Sequence, residues 1–434
     1  MIRRFSFALF LTFALTFCAA SGQMPGTDLA VKSPSGLRAL GAKDAVVWSI
    51  TGSHFNLWRL DAAGTGVVTT ALPLPAELTR HLKSQTPDDT EDDYGFVNVE
   101  AQGGEIRLLW FEDVPQSDAE FEKRGDFPAL IVQASSTDLG VTWRVDRTPF
   151  RSWAGLEMVY DYAVVDAQHA WLLGAGEPGA GQLPEELFRT ADGGRTWKEA
   201  DGDEAHGAPP IGRNGGQLLA AKDATHAWFI ATCAGCEDDA FLAAAYTDDG
   251  GRRWNSAKLV QHYPECANCY PSAISRASST AGDCFDVNLT PMDENDHRTS
   301  IPVHFCSYDG GHTWEKPLRG MTVSPKGGFT FHEGWCDWVV YAQGDPELGM
   351  TGDFVHTPAD AQHKTDWSEE RLIETRDGGH TWLPILPELK EGITPVRSLQ
   401  AKGDLVWLML SDGPGGRILL SRDHGVTWSS IVGR

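Results

Sequence analysis

Residues 190–197 read TADGGRTW, an octapeptide of the form Ser/Thr-x-Asp-x-Gly-x-Thr-Trp, and this motif decides the interpretation of the whole chain. Six copies occur, with starts between 46 and 68 residues apart, and one copy departs from the pattern, with Arg253 in place of threonine. Recurrence at such a period indicates an array of similar supersecondary units. The other five copies are STDLGVTW (136–143), TDDGGRRW (247–254), SYDGGHTW (307–314), TRDGGHTW (375–382) and SRDHGVTW (421–428).

Each octapeptide has the composition of a tight hairpin turn. Aspartate accepts hydrogen bonds from nearby backbone amides, glycine adopts positive φ, and the Ser or Thr hydroxyl closes a local hydrogen bond. The final Trp is expected to pack between sheets and anchor the turn. We therefore interpret six aspartates as structural rather than catalytic: Asp138, Asp192, Asp249, Asp309, Asp377 and Asp423.

The motif resembles the Asp-box, or bacterial neuraminidase repeat, and the chain is similar to the Asp-box β-propellers over nearly all of its mature length. The resemblance implies an all-β fold in which blades of four strands surround a central channel. It also implies that the octapeptides join the third and fourth strands of their blades.

A second periodic signal supports seven units. An apolar strand, usually with a Trp, precedes each octapeptide, as in Ala170–Leu173 and Ala227–Ile230, and Trp338–Tyr341 is placed as its equivalent in the sixth unit. The first unit, near residues 34–73, has the strand but no clear octapeptide. Residues 34–434 then hold about 57 residues per unit, which fits one seven-bladed β-propeller. A six-bladed ring with an N-terminal strand appendage is the alternative.

Composition restricts the class of protein. The chain has 434 residues with 41% apolar residues, 16 Trp and 46 Gly, so it can bury a large core and is not intrinsically disordered. The net charge of −24 argues against nucleic acid or an anionic membrane as a general partner.

The N-terminus has the form of an export signal. Residues 1–22 combine Arg3 and Arg4 with an apolar stretch and small residues around Ala20, so we expect cleavage there and a periplasmic or extracellular protein. Residues 23–33 are then a linker. Lipidation at Cys18 is the alternative fate, and no segment is long enough for a transmembrane helix.

Long insertions concentrate on one predicted face, which carries the loops between second and third strands and the connections between blades. The insertions are placed at 75–94, 111–128, 174–183, 200–213, 233–239, 290–300 and 342–368. Extended loops on one side of a rigid scaffold favour a binding role there. The loops are acidic, and three explanations are open: the carboxylates keep an exported protein soluble, they bind a basic partner, or they bind divalent cations. Their carboxylates are Asp88, Asp89, Glu91, Asp92, Asp93, Glu112, Asp113, Asp118, Glu120, Glu122, Asp126, Glu237, Asp238, Asp239, Asp293, Glu294 and Asp296.

The cysteines form a second candidate site. Cys233/Cys236 and Cys266/Cys269 are two Cys-x-x-Cys pairs on the same predicted face. In an exported protein, disulfides are favoured over structural zinc or redox chemistry. Cys284 and Cys306 fit a cross-strand bridge, with Cys306–Cys336 as the competing pairing.

Three arginines recur on the predicted innermost strands: Arg38, Arg276 and Arg397. An arginine ring in the channel could bind a carboxylate or phosphate, or it could pair with channel carboxylates. Sialidases need three such arginines together with an Arg-Ile-Pro motif, and the nearest equivalent here is Gly36–Leu40.

The opening Ser-Gly-Leu-Arg-Ala-Leu followed by Val-Val-Trp more closely resembles the photosystem II assembly and stability-factor-like propellers, which implies binding or assembly. We therefore expect a monomeric, non-enzymatic binding propeller that needs no cofactor, with a protein or carbohydrate ligand. The alternative is a divergent sialidase-like glycoside hydrolase whose channel arginines hold an anionic sugar.

Overall fold

The computed structural model is built almost entirely of antiparallel β-sheet. It describes residues 34–51, 54–62, 66–84, 97–176, 184–200, 216–232, 242–257, 269–278, 283–291, 301–314, 340–342, 345–357, 367–376, 383–384, 396–410 and 416–432. The described strands form six four-stranded sheets and one three-stranded sheet, and the strands of each sheet are consecutive in sequence.

The first three sheets are accompanied by both described helices. The first sheet comprises β1 (Gly36–Ala39), β2 (Asp44–Thr51), β3 (His54–Asp61) and β4 (Val68–Ala71). The second comprises β5 (Asn98–Gln102), β6 (Glu105–Asp113), β7 (Phe127–Ser136) and β8 (Arg144–Ser152). The third comprises β9 (Leu156–Val164), β10 (Ala170–Gly176), β11 (Glu185–Thr190) and β12 (Lys198–Glu199). The helices are α1 (Ala76–Ser84) and α2 (Asp118–Arg124).

The remaining four sheets repeat the same meander. The fourth comprises β13 (Gly216–Ala221), β14 (Ala227–Thr232), β15 (Leu242–Thr247) and β16 (Asn255–Ser256). The fifth comprises β17 (Cys269–Ser278), β18 (Asp283–Pro291) and β19 (Ile301–Ser307). The sixth comprises β20 (Val340–Ala342), β21 (Asp345–Thr357), β22 (Trp367–Thr375) and β23 (Leu383–Pro384). The seventh comprises β24 (Val396–Lys402), β25 (Leu405–Leu410), β26 (Arg417–Ser421) and β27 (Ser429–Val432).

The sheets follow one another around a ring. The first strand of every sheet contacts the inner strands of the preceding sheet, and β1 of the first sheet contacts β24 and β25 of the last. Side chains support this closure, since Ser398 Oγ donates to the Leu37 carbonyl at 3.2 Å and the Ala39 amide donates to Gln400 Oε1 at 3.4 Å. This arrangement confirms the predicted all-β propeller class.

The core lies between neighbouring sheets. Trp110, Trp171, Trp228 and Trp407 lie on second strands and are fully buried. The alternation of side chains along a strand places apolar residues on both faces of each sheet, so every sheet is covered by its two neighbours. The closing interface has a core of its own, in which Leu37 and Leu60 share a cluster with Trp407.

The ring has two ends, which we name by their loops. The octapeptide face carries the turns between first and second strands and those between third and fourth strands. The insertion face carries the loops between second and third strands and the connections between sheets. Both helices lie on the insertion face, because α1 connects the first sheet to the second and α2 lies between β6 and β7.

One strand assignment made from sequence is wrong. The predicted equivalence of Trp338–Tyr341 with the second strands fails because Tyr341 belongs to β20, the first strand of its sheet. The second strand is β21, which occupies much of the segment predicted as the insertion 342–368. The error arises because β20 is apolar like a second strand, whereas β21 carries Gly349, Gly352 and two aspartates.

Several predictions fall outside the described residues. They concern the signal segment 1–22, the linker 23–33, Cys18, Cys233, Cys236, Cys266, Cys336 and Asp377, together with the acidic residues at 88–93, 237–239 and 293–296. The division into a signal, a linker and one propeller at 34–434 therefore stays a prediction.

Candidate binding surface

The five described octapeptide aspartates accept hydrogen bonds inside their own turns. In the turn after β11, Asp192 accepts from Thr190 Oγ1 (2.9 Å), the Thr196 amide (2.9 Å) and Thr196 Oγ1 (2.6 Å). The same three bonds recur at Asp138, Asp309 and Asp423. Asp249 accepts only from Thr247 and the Arg253 amide, because position 253 has no hydroxyl.

These bonds stabilise the ionised carboxylates. Hydrogen bonds from the Thr142 side chain and amide and from Ser136 lower the pKa of Asp138 to about 2, and Thr427 and Ser421 do the same for Asp423. Partial burial alone would raise the pKa values of the other three carboxylates, Asp192, Asp249 and Asp309. Their local hydrogen bonds outweigh it, so these pKa values are also lowered.

The fifth residue of the octapeptide also joins neighbouring sheets. Gly140, Gly194, Gly251, Gly311 and Gly425 all have φ between 80° and 90°. A Cβ at Gly194 would overlap the Gln133 side chain of the preceding sheet, and one at Gly311 would overlap Trp228. The octapeptide is therefore both a turn and a contact between sheets.

The three candidate channel arginines all lie on first strands, in β1, β17 and β24. Arg38 forms an ion pair with Glu100 of β5 (Nε–Oε2 3.5 Å) and lies 5.7 Å from the Trp48 ring centroid. Arg397 is exposed, and only the backbone of Arg276 is described. Arg38 is thus engaged with a carboxylate of the next sheet.

The structure describes only the backbone of the predicted cysteines that it covers. Cys284 on β18 and Cys306 on β19 are directly opposite each other in the antiparallel register, and Cys269 begins β17. Their side chains lie outside the described part of the molecule, so the predicted disulfides stay predictions.

The most distinctive surface lies on the insertion face, where the second and third sheets meet. Four large apolar side chains are exposed there: Val114 (38%), Phe121 (37%), Phe127 (39%) and Trp153 (51%). We call this group the aromatic patch. Phe121 of α2 stacks on Phe127 with ring centroids 4.4 Å apart. Phe127 is paired across the sheet with Ser152, the residue before Trp153.

A buried carboxylate fixes the backbone around Trp153. Glu186 of β11 is only 2% exposed. Its Oε1 accepts from the Trp153 amide (2.7 Å), the Ala154 amide (3.1 Å) and Ser152 Oγ (3.1 Å). Charge-assisted bonds of this kind are stronger than neutral ones, so the connection between the second and third sheets is held in one conformation.

The loop that carries Phe121 is also well fixed. Helix α2 begins with a capping box between Ser117 and Glu120 and ends at Gly125, which has the left-handed conformation. Arg151 bonds Asp126 Oδ1 through Nε (2.7 Å) and Gln116 Oε1 through Nη2 (3.0 Å). These contacts tie both ends of the β6–β7 loop to the end of β8.

The surroundings of the patch are acidic. Residues 111–128 contain six carboxylates and two basic residues. Arg151 pairs with Asp126, and Arg147 lies 3.8 Å from Glu112, so both of these neighbouring cations face partners. Asp113 and Glu122 are exposed.

The sequence identified the acidic loop 111–128 but missed the patch. One signal was available, because Trp153 lies outside both the octapeptides and the apolar second strands, where most other Trp residues are found. Glu186 gave no signal, since its partners lie more than 30 residues away in the chain.

Among the described residues, no helix has the length and apolarity to cross a bilayer. The same part of the chain contains no group of three or more His, Cys, Asp or Glu side chains placed to hold a metal ion.

Comparison with known proteins supports the fold. An ulvan lyase of polysaccharide lyase family PL25, bound to a GlcA–Rha3S unit, is similar at 10% identity with a TM-score of 0.50, covering 92% of this chain and 96% of the lyase. The β-propeller domain of the trilobed protease from Pyrococcus furiosus, described as having an open velcro topology, gives 10% identity and a TM-score of 0.43, covering 78% and 86%. YCF48 bound to D1 peptide gives 16% identity and a TM-score of 0.40, covering 78% and 85%.

At these identities the likeness concerns the fold alone. One of these structures is a polysaccharide lyase and another holds a peptide, and a shared fold does not fix the function of this chain. No protein-family model matches the chain, and neither does any curated protein.

Proposed function

We propose that this chain is an exported Asp-box β-propeller that serves as a binding or assembly module through its insertion face, without catalysis. The observation that carries the proposal is the aromatic patch, in which exposed side chains are held by buried and capped backbone. Fixed, exposed aromatic residues are typical of protein interaction sites.

The rest of the molecule is consistent with a scaffold for that surface. The five described octapeptide aspartates accept hydrogen bonds within their turns, and Arg38 is paired with Glu100. Neither set has the free functional groups that an acid, a base or a nucleophile needs.

Site-specific photocrosslinking tests the binding role. A photoreactive amino acid is placed at Trp153 or Asp113 on the insertion face, or at Tyr308 or Val141 on the octapeptide face, and the protein is expressed in its native compartment. We expect discrete adducts from the first two positions and none from the other two. Equal adducts from both faces would contradict the use of one face.

The second candidate is a sialidase-like glycoside hydrolase, which is favoured by the position of Arg38 and Arg397 on first strands. Purified protein is assayed with fluorogenic sialosides and uronides. We expect no release of sugar. Hydrolysis that is lost in Arg397→Ala, with folding retained, would replace the binding proposal by this one.

Export is tested by the intact mass of the protein from its native compartment, measured with and without reductant. Cleavage near Ala20 and a mass change on reduction are expected. A lipid-modified Cys18 would place the same module on a membrane surface, and an unprocessed N-terminus would contradict export.

A further inference from the structure

The aromatic patch is unusual for the described surface. Eight large apolar side chains of the described residues are exposed, and four of them lie in this one region. The others are Val68, Val141, Tyr308 and Val426, and three of these are separate octapeptide positions. Single exposed apolar residues are normal, whereas a contiguous group marks an interaction site.

The patch is contiguous because three separate segments meet at the end of β8. Val114 donates its amide to the Pro128 carbonyl at 3.0 Å, which brings the start of the loop to Phe127. A Cβ at Gly155 would lie 3.7 Å from the Phe127 ring. The connection between sheets that carries Trp153 therefore passes beside the same ring. Phe121 completes the group by stacking.

The patch is also organised before any partner binds. The Trp153 backbone is bonded to buried Glu186, and α2 is capped at both ends. Binding of a partner therefore costs little free energy for ordering this surface. Under that condition a few aromatic residues can supply most of the binding free energy.

Charge decides between classes of partner. The loop has six carboxylates, and its own two basic residues together with the adjacent Arg147 and Arg151 offset four of them. The region therefore keeps an excess of two negative charges, and the whole chain has a net charge of −24. An anionic polysaccharide or nucleic acid would be repelled. A cationic partner would be attracted, and its Lys or Arg side chains could also lie over aromatic rings.

We propose that the aromatic patch binds a cationic, extended polypeptide segment of a partner protein, in which an aromatic or aliphatic side chain is flanked by Lys or Arg. The apolar side chain contacts Trp153 and the Phe121–Phe127 pair. The flanking cations face Asp113 and Glu122. This inference rests on the proposed binding function and gives it a partner chemistry.

The test uses fluorescence anisotropy with a short labelled peptide that carries Trp and Arg among Gly and Ser. Two matched peptides replace either Trp with Ser or Arg with Glu. We expect the first peptide to bind the full-length mature protein and both replacements to bind at least about tenfold more weakly. Raising the salt concentration to about 0.5 M should weaken binding severalfold because the charges are exposed.

Matched variants locate the binding site. Trp153→Ser should weaken binding about tenfold, whereas Tyr308→Ser, which removes an equally exposed aromatic residue from the opposite face, should leave it unchanged. Asp113→Lys/Glu122→Lys should weaken binding about fivefold, whereas Glu199→Lys/Asp404→Lys makes the same charge change elsewhere and should have no local effect. All six substituted positions are exposed, so thermal unfolding should confirm that every variant folds.

Each other result overturns the inference. Absence of binding, equal binding of the Glu-containing peptide, or equal effects of Trp153→Ser and Tyr308→Ser would remove the cationic segment as the ligand. Binding of a neutral oligosaccharide at Trp153, independent of the carboxylates, would do the same. In those cases a crosslinked partner on the insertion face would leave the proposed function standing, whereas sialoside hydrolysis would remove the proposed function itself.

Discussion

The two ends of the ring are built on different principles. On the octapeptide face, the fifth-position glycine of all five described turns donates its amide to the Ser or Thr hydroxyl four residues earlier. A Cβ at each of these glycines would contact a residue in or just after a strand of the preceding sheet. On the insertion face, the described segments differ in length and structure. There Glu186 and Trp153 are brought together from positions 33 residues apart.

This difference separates stability from recognition. The octapeptide face uses its polar groups internally, so substitutions there are expected to change the free energy of unfolding. The aromatic patch leaves large apolar side chains in water, which contributes little to stability and is the feature on which the proposed binding role rests. The predictions below contrast changes on the two faces, beginning with the largest expected effect.

Gly194→Ala should give the largest loss of stability. Gly194 has φ of 81°, and an added Cβ would overlap Gln133, whose Nε2 donates to the Gly193 carbonyl at 2.9 Å. The left-handed conformation and the overlap together should lower the free energy of unfolding by about 3 kcal/mol, as measured by urea titration.

Gly310→Ala is the matched control for that variant. Gly310 is also an octapeptide glycine with positive φ (75°), but its Cβ position faces open space. The free energy of unfolding of this variant should fall by about 1 kcal/mol. Equal losses in the two variants would show that the turn conformation alone matters and that contact between sheets contributes nothing.

Glu186→Ala should have the next largest effect and should act on the insertion face. It removes the acceptor of two amides and one hydroxyl, so the free energy of unfolding should fall by about 2 kcal/mol. Hydrogen exchange of the Trp153 and Ala154 amides should also become faster. Unchanged exchange at these two amides would show that Glu186 does not hold the patch.

Glu186→Gln tests the contribution of charge. The amide oxygen can still accept, so part of the loss should be recovered in Gln compared with Ala. A Gln variant as unstable as the Ala variant would mean that the negative charge, rather than the acceptor atom, holds the connection.

What the sequence predicted follows the same division between faces. The octapeptides were recognisable because Thr190, Asp192 and Thr196 bond one another within seven residues, so the motif contains its own structural reason. The apolar second strands, such as β10 and β14, were also recognisable from a local pattern.

The aromatic patch could not be found in this way. Phe121, Phe127 and Trp153 come from a helix, a strand and a connection between sheets, and no short pattern links them. The pairing of Arg38 with Glu100 is similar, because the predicted channel arginine meets a carboxylate 62 residues away. Such contacts depend on how neighbouring sheets pack, which a local motif does not record.

Acid should weaken the octapeptide face selectively. The folded-state pKa values of Asp138 and Asp423 are lowered to about 2 from the ordinary 3.8, so the unfolded chain takes up protons first as the pH falls. These carboxylates stabilise the fold above pH 3.8, and this contribution is lost as the pH falls through about 2. Urea midpoints measured across this range should decline, and the decline should be shallower in Asp138→Asn/Asp423→Asn.

The matched control is Asp404→Asn, an exposed aspartate in the β24–β25 turn. Its pH dependence should follow the wild-type curve. If the octapeptide double variant also followed that curve, the turn carboxylates would have no part in the acid response.

Arg253→Thr should have the smallest effect and should be stabilising. Asp249 accepts from Thr247 and the Arg253 amide, but the hydroxyl bond present in the turns of Asp138, Asp192, Asp309 and Asp423 is missing. Restoring the hydroxyl should raise the free energy of unfolding by about 0.5–1 kcal/mol, as measured by urea titration.

Arg253→Val separates the hydroxyl from the shape of the side chain, since valine has the same branching but cannot donate. A gain in Thr that is absent in Val assigns the stabilisation to the bond with Asp249. An equal gain in both variants would assign it to β-branching in the turn just before the fourth strand. In that case the threonine of the other octapeptides would stabilise its turn through backbone preference. The contrast in stability between the two faces would then depend on the glycine contacts alone.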